Sequence, residues 1–207
     1  VVYSDPGFLL LGLALEEAAG EPLPMLAARA WGPAWGEDLG FIDLEAGVGP
    51  EGDAGPELGV GPEAAEGRAP RMPMAWERQA LLATREVAAT EDCPWRGRVA
   101  WAEVHDENAH ALGGIAPHAG LFGSAPAVLA LGRALLAARL GLPGAPLGAE
   151  VVRTFWEDDR GSGGGSWALG WDTPTPGGSS AGRLVSPRAV GHLGFTGTSL
   201  YLDPARQ

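Results

Sequence analysis

Apolar positions crowd the start of the chain. Phe8, Leu9, Leu10, Leu11, Leu13 and Leu15 cover more than one stripe of a helix, and the pattern predicts one from about Phe8 to Ala19, buried on most sides. Ser4 or Asp5 can cap it, Pro6 suits its first turn, and Gly20 is a natural stop. A shorter helix is expected over Pro24 to Trp31. From Leu44 to Pro70 the residues are mostly Gly, Pro, Glu and Ala with no apolar period, so burial cannot offset the entropy of ordering them; a disordered surface insert over 44–70 is predicted. Met74 to Thr90 fits either a helix or an edge strand. Ala125 to Leu140 reads as a second long helix, opened by Ser124 and Pro126 and ended by Gly141, and Leu147 to Glu157 as a further one. After the Gly161 to Gly165 linker the period changes. Trp167 to Trp171 and Thr198 to Leu202 look extended, with Leu200 and Leu202 on one face and Ser199 and Tyr201 on the other. Asp203 to Gln207 reads as a hairpin turn whose return strand is missing. The expected organisation is one partial domain, 1–207, with a mostly helical lobe over 1–160 and a sheet portion over 161–207.

Composition narrows the function. Fourteen basic residues against 26 acidic ones give the 207-residue chain a formal charge of -12, which repels phosphate backbones and disfavours nucleic acid as a partner. The longest apolar run, Phe8 to Leu15, is far short of the roughly 20 residues a bilayer core demands, so no membrane span is expected. The single cysteine, Cys93, excludes an internal disulfide and any Cys-x-x-Cys metal site. All basic residues are arginine. With no lysine, a Walker A lysine, Schiff-base chemistry and a Ser-x-x-Lys nucleophile pair are all unavailable within these residues.

Three stretches can carry chemistry, and each has a purely structural alternative. Tyr3-Ser4-Asp5 places a phenol one step before the first helix, either fixed at a cleft as a proton-transfer group or simply a loop tyrosine beside a capping aspartate. Gly191 to Pro204 sets three glycines in a strand-like segment, which suits either an edge whose N–H groups face an oxyanion or a bulged edge strand. Val104 to Gly114 and His118 to Phe122 gather His105, His110 and His118 beside Asp106 and Glu107, which fits a metal site or a hydrogen-bonded loop bridging two lobes. His105 and His110 are five residues apart, which is not the spacing of zinc helices. An α/β-hydrolase elbow is not expected, and Ser180-Ala181-Gly182-Arg183 ends in an arginine that cannot act as base.

Taken in order, Tyr3 to Gly12, Val104 to Gly114, His118 to Phe122 and Gly191 to Pro204 resemble the serine beta-lactamase-like hydrolases: class C beta-lactamases, penicillin-binding DD-peptidases and, most closely, the esterase-like branch. The resemblance covers nearly the whole chain outside 44–70. It implies an α/β (α+β) beta-lactamase/transpeptidase-like fold, an antiparallel sheet flanked by helices plus a helical lobe, incomplete at both ends. It also implies hydrolysis of a small-molecule ester, amide or peptide through an acyl-enzyme, without metal or other cofactor. Tyr3 would transfer protons, and Asp5 would stand where Asn is more usual. His192, Leu193 and Gly194 would occupy the Lys-Thr-Gly strand, with His192 and Gly194 on the substrate and the Phe195 N–H as half of the oxyanion hole. Leu193 replaces the usual hydroxyl residue.

The family's Ser-x-x-Lys precedes its tyrosine motif, so the resemblance also implies that these residues alone do not form the acyl-enzyme, and that the first helix presents apolar surface where a neighbour is expected. Two alternatives belong to other classes: a non-catalytic binding module or degenerate paralogue that keeps the cleft, and a metal-dependent hydrolase using His105, Asp106, His110 and His118.

Overall fold

The computed structural model describes residues 4–31, 38–45, 75–84, 86–157, 166–175 and 177–206. Apart from Leu44 and Glu45, the expected insert lies outside the described residues, as does Tyr3.

The chain opens with helix α1 (Asp5–Ala19). Ser4 Oγ accepts the Gly7 N–H at 3.3 Å, and Gly20 closes the helix at φ 69°, where its N–H donates to the Glu16 carbonyl. The start and stop follow the sequence, but the burial does not. Among the residues of α1 only Gly12 is buried, because the helix is covered chiefly by α2 (Leu23–Trp31) and by Pro117, which lies where a Cβ on Gly12 would sit. With leucines on several sides and cover on one, Leu10, Leu11, Leu13 and Leu15 stay exposed. Replacing Leu10 and Leu13 together with glutamine should therefore raise the concentration at which light scattering detects association, while unfolding free energy moves by less than about 0.5 kcal/mol.

The stretch that fits either helix or strand contains both. Strand β1 (Leu39–Asp43) pairs in parallel with β2 (Ala75–Glu77), which runs directly into α3 (Arg78–Thr84). A hairpin follows, β3 (Ala89–Cys93) and β4 (Arg98–Trp101), and then a one-and-a-half-turn helix, α4 (Glu107–Ala111). Strand β5 (Leu121–Gly123) completes the first sheet antiparallel to β1, giving the order β2-β1-β5. Helices α5 (Ala125–Leu140) and α6 (Ala149–Glu157) fall where the sequence predicts them. In α5, Ser124 Oγ caps Ala127 N–H at 3.3 Å and Gly141 ends the helix at φ 71°.

The C-terminal sheet is an antiparallel meander, β6 (Trp167–Ala168), β7 (Trp171–Asp172), β8 (Val190–Leu193) and β9 (Ser199–Leu202). Leu200 and Leu202 turn toward α5, where Gly132 lets the strand come close, and Tyr201 turns the other way. Leu135, Ala138, Val152, Trp156, Val190 and Leu202 form the main core between α5, α6 and this sheet. Ile42, Leu81 and Ala102 form a second cluster, Val104, Ala109 and Ala116 a third, and Leu44 and Phe122 touch both. These are helices packed on antiparallel sheets, an α/β architecture in which β1–β2 is the parallel exception.

No helix among the described residues is long and apolar enough to cross a membrane.

Candidate functional site

The glycine-spaced ribbon is the β8–β9 hairpin, closed by the five residues Gly194 to Thr198. Gly194 N–H donates to the Thr198 carbonyl at 2.7 Å and Gly197 N–H to the Gly194 carbonyl at 3.0 Å. A Cβ on Gly194 would lie 2.0 Å from Thr198 Oγ1, so a side chain there would force the threonine hydroxyl to turn away. His192 sits on β8 opposite Leu200, with Nδ1 2.7 Å from the Leu193 carbonyl and its ring 5.8 Å from that of Trp167. A carbonyl only accepts, so Nδ1 carries the proton of this contact. Phe195, at the head of the loop, is 72% exposed, and its N–H bonds to none of the described residues. Asp5 lies in the first turn of α1, half-buried and in the acidic position that suits a helix N-terminus.

The segment from Val104 to Gly120 touches both of these regions. Pro117 packs on Gly12 of α1, and the His105 ring lies 4.6 Å from the Phe195 ring, tilted by 51°. Each histidine of the segment goes to a different carboxylate. His105 Nε2 is 3.4 Å from Glu91 Oε1, His110 Nε2 is 3.3 Å from Glu103 Oε2, and His118 Nε2 is 2.9 Å from Asp106 Oδ1. Asp106 Oδ1 also accepts the Ala109 N–H at 2.8 Å as the cap of α4. Burial alone pushes the Asp106 carboxyl up, but the Ala109 N–H and His118 outweigh it and hold the group below its ordinary 3.8. No group of three His, Cys, Asp or Glu converges on one point among the described residues.

Beside this loop lies a cavity of about 270 Å³ lined by Leu44, Glu45, Arg78, Arg98, Glu103 and His110, among others. At its base Glu103 is buried and paired on both oxygens with Arg98, the second contact being Nη2 to Oε2 at 2.9 Å. Burial pushes the Glu103 carboxyl up, yet the Arg98 hydrogen bond and the charges of Arg98, Arg78 and Arg96 hold it below 4.5. Sequence reasoning missed this ion pair. Glu103 sits in an apolar run, and Arg98 reaches it only because the backbone turns at Ala102, whose φ is 49°.

A second constellation also went unread. Ser180 stands at the centre of Gly178-Ser179-Ser180-Ala181-Gly182, so one serine has the Gly-x-Ser-x-Gly spacing even though no elbow is expected. Its Oγ is 2.5 Å from Tyr201 Oη and 3.5 Å from Asp172 Oδ2, and Ser166 Oγ donates to Asp172 Oδ1 at 3.0 Å. The spacing falls among turns, without the strand and helix that make a nucleophile elbow. These contacts tie Ser180 to Asp172 of β7 and Tyr201 of β9.

The chain matches the family model described as Beta-lactamase over residues 1–207. It is 28% identical over 216 aligned residues to a protein of Escherichia coli K12 named "Putative D-alanyl-D-alanine carboxypeptidase", covering 98% of this chain and 42% of that protein. A protein of the same name from Escherichia coli O157:H7 matches equally, and one from Salmonella gallinarum is 33% identical over 119 residues, covering 53% of this chain and 26% of its own. The chain thus spans about two fifths of the length of the first of these relatives. No solved structure matches it significantly. A family match from end to end decides the kinship: the chain belongs to the beta-lactamase family of serine hydrolases.

Proposed function

We propose that these residues form the sheet side of the substrate cleft of a serine hydrolase that cleaves an ester or amide bond, with a peptide as the preferred substrate class. The observation that carries the reading is the head of the β8–β9 hairpin, where His192 at the end of β8 and Gly194 and the Phe195 N–H at the start of the loop fall within four residues. The relatives' names, which specify a carboxypeptidase, favour a peptide.

In this reading a serine Oγ attacks the scissile carbonyl, and the charge that develops on its oxygen is met by the Phe195 N–H. The leaving alcohol or amine takes a proton through Tyr3, and water then releases the acid from the ester on serine. His192 and Asp5 bind polar groups of the substrate, and Gly194 lets the substrate backbone approach. The lysine that the family pairs with its serine does not occur in these residues, so the Ser-x-x-Lys pair has to be supplied by polypeptide outside them, and the 207 residues by themselves would be inactive. We further propose one partial domain, 1–207, with a mostly helical lobe over 1–160, which also carries β1 to β5, and a sheet portion over 161–207.

The test uses the full reading frame that contains this chain. Tyr3→Phe and His192→Ala should each lower turnover of a p-nitrophenyl ester and of a D-alanyl-D-alanine peptide at least about tenfold, a loss of about 1.4 kcal/mol of transition-state stabilisation. Unchanged rates would remove both assignments. The absence of lysine also favours a second reading, a degenerate paralogue that holds a peptide without cutting it. That reading predicts saturable peptide binding by calorimetry with no turnover, and no Ser-x-x-Lys in the reading frame.

A further inference from the structure

We propose that His105 is a positioning residue for the 194–198 loop, bracing the head of the β8–β9 hairpin against β3. The inference starts from what the loop lacks. Five residues are held by two internal hydrogen bonds, Gly194 to Thr198 and Gly197 to Gly194, and an exposed Phe195 has little burial of its own to fix it. A donor that serves a developing charge must be kept within about 0.5 Å of its working position.

The brace is built from three elements. Arg96, in the turn between β3 and β4, donates from Nη1 to the Val104 carbonyl and from Nη2 to the His105 carbonyl, both at 2.9 Å, which pins the backbone that carries the imidazole. Glu91 on β3 holds the far side of the ring through Nε2 at 3.4 Å. The ring itself then lies 4.6 Å from Phe195, close enough for a tilted aromatic contact. His105 Nδ1 and Glu91 Oε2 are buried with no hydrogen-bond partner, so the imidazole's position is set by one polar contact and one ring contact. Losing either should let it swing, and with it the loop. His105 acts through Phe195 and touches no reacting atom.

The functional meaning rests on the reading of the Phe195 N–H given above, but the brace does not, and the test separates the two. In the 207-residue chain, amide exchange followed by NMR should be about tenfold faster at Gly194 and Gly197 in His105→Ala, with the paired amides of Val190–Leu193 and Ser199–Leu202 unchanged. His105→Phe keeps a ring against Phe195 and should restore most of the protection. Phe195→Ala removes the same contact from an exposed position that does not threaten folding, and should speed the same two amides. Unchanged exchange in Phe195→Ala, or acceleration spread evenly over the strands, overturns the brace. In the full reading frame, His105→Ala should lower kcat with KM within about twofold. A frame that hydrolyses nothing would refute the proposed function and leave the exchange result standing.

Discussion

Replacing Arg98 with alanine should destabilise the folded chain by about 3 kcal/mol, the lower end of what breaking a buried ion pair costs. The effect lives on Glu103. Arg98 is half exposed and loses little by itself, whereas Glu103 is buried and would keep its charge with only His110 near one oxygen. The charges of Arg78 and Arg96, which remain, are why the lower end applies. Urea unfolding followed by tryptophan fluorescence would measure it, and a loss under about 1 kcal/mol would mean that the carboxylate finds water or another partner. The pair also fixes a pH dependence. Because the folded-state pKa of Glu103 lies below its ordinary 4.5, the folded state favours the ionised form, and the stabilisation is fully present above that value. It fades as pH falls through the lower folded value. Asp106 and Asp203 are held below their ordinary 3.8, where hydrogen bonds outweigh the upward push of burial, and add to the same acid-side loss. Glu103→Gln should therefore flatten the fall of Tm in acid while lowering Tm at neutral pH.

The parts of this fold that were legible in the sequence carry their own punctuation. α1 and α5 begin at a serine cap followed by proline and end at a glycine in the left-handed region, and β9 alternates apolar and polar residues as a half-buried strand should. β1 was not legible, since Leu39 to Ile42 are all buried and a short run without alternation has no period to read. The β3–β4 hairpin was hidden for the opposite reason. Ala89 to Cys93 is polar for a strand, and its pairing with Arg98 to Trp101 is stabilised by Arg78, Thr90 and Arg96 bonding to backbone carbonyls nearby. In the site, His192, Gly194 and Phe195 are neighbours in the chain, and the glycine spacing pointed to the β8–β9 hairpin they belong to. That spacing could not reveal that Glu91, some fourteen positions before His105, lies beside it, because that contact depends on how a hairpin folds back on the following segment. Nor did the leucine-rich first helix announce that only Gly12 would find cover: periodicity reports which sides are apolar, and neighbours decide which are buried.

Gly191→Val should cost about 3 kcal/mol and disorganise the strand that presents His192. Gly191 pairs with Tyr201 across the β8–β9 ladder, and the tyrosine ring lies over it, as aromatic residues do above a cross-strand glycine. A Cβ there would sit 2.1 Å from Tyr201 Cδ1 and 2.5 Å from the Leu200 carbonyl oxygen. The ring can rotate, but its hydroxyl is bonded to Ser180, and the carbonyl belongs to the ladder, so relief has to come from parting the strands. His192 is the next residue and moves with them. Gly197 is the control. It has open space around it and φ of 85°, so Gly197→Ala meets only the left-handed strain of about 1 kcal/mol. Thermal unfolding of the two variants should separate by several degrees, and in the full reading frame Gly191→Val should lose at least as much turnover as His192→Ala while Gly197→Ala stays within about threefold of the parent. Equal effects of the two substitutions would mean that backbone conformation, and not the crowding under Tyr201, sets the shape of this ribbon.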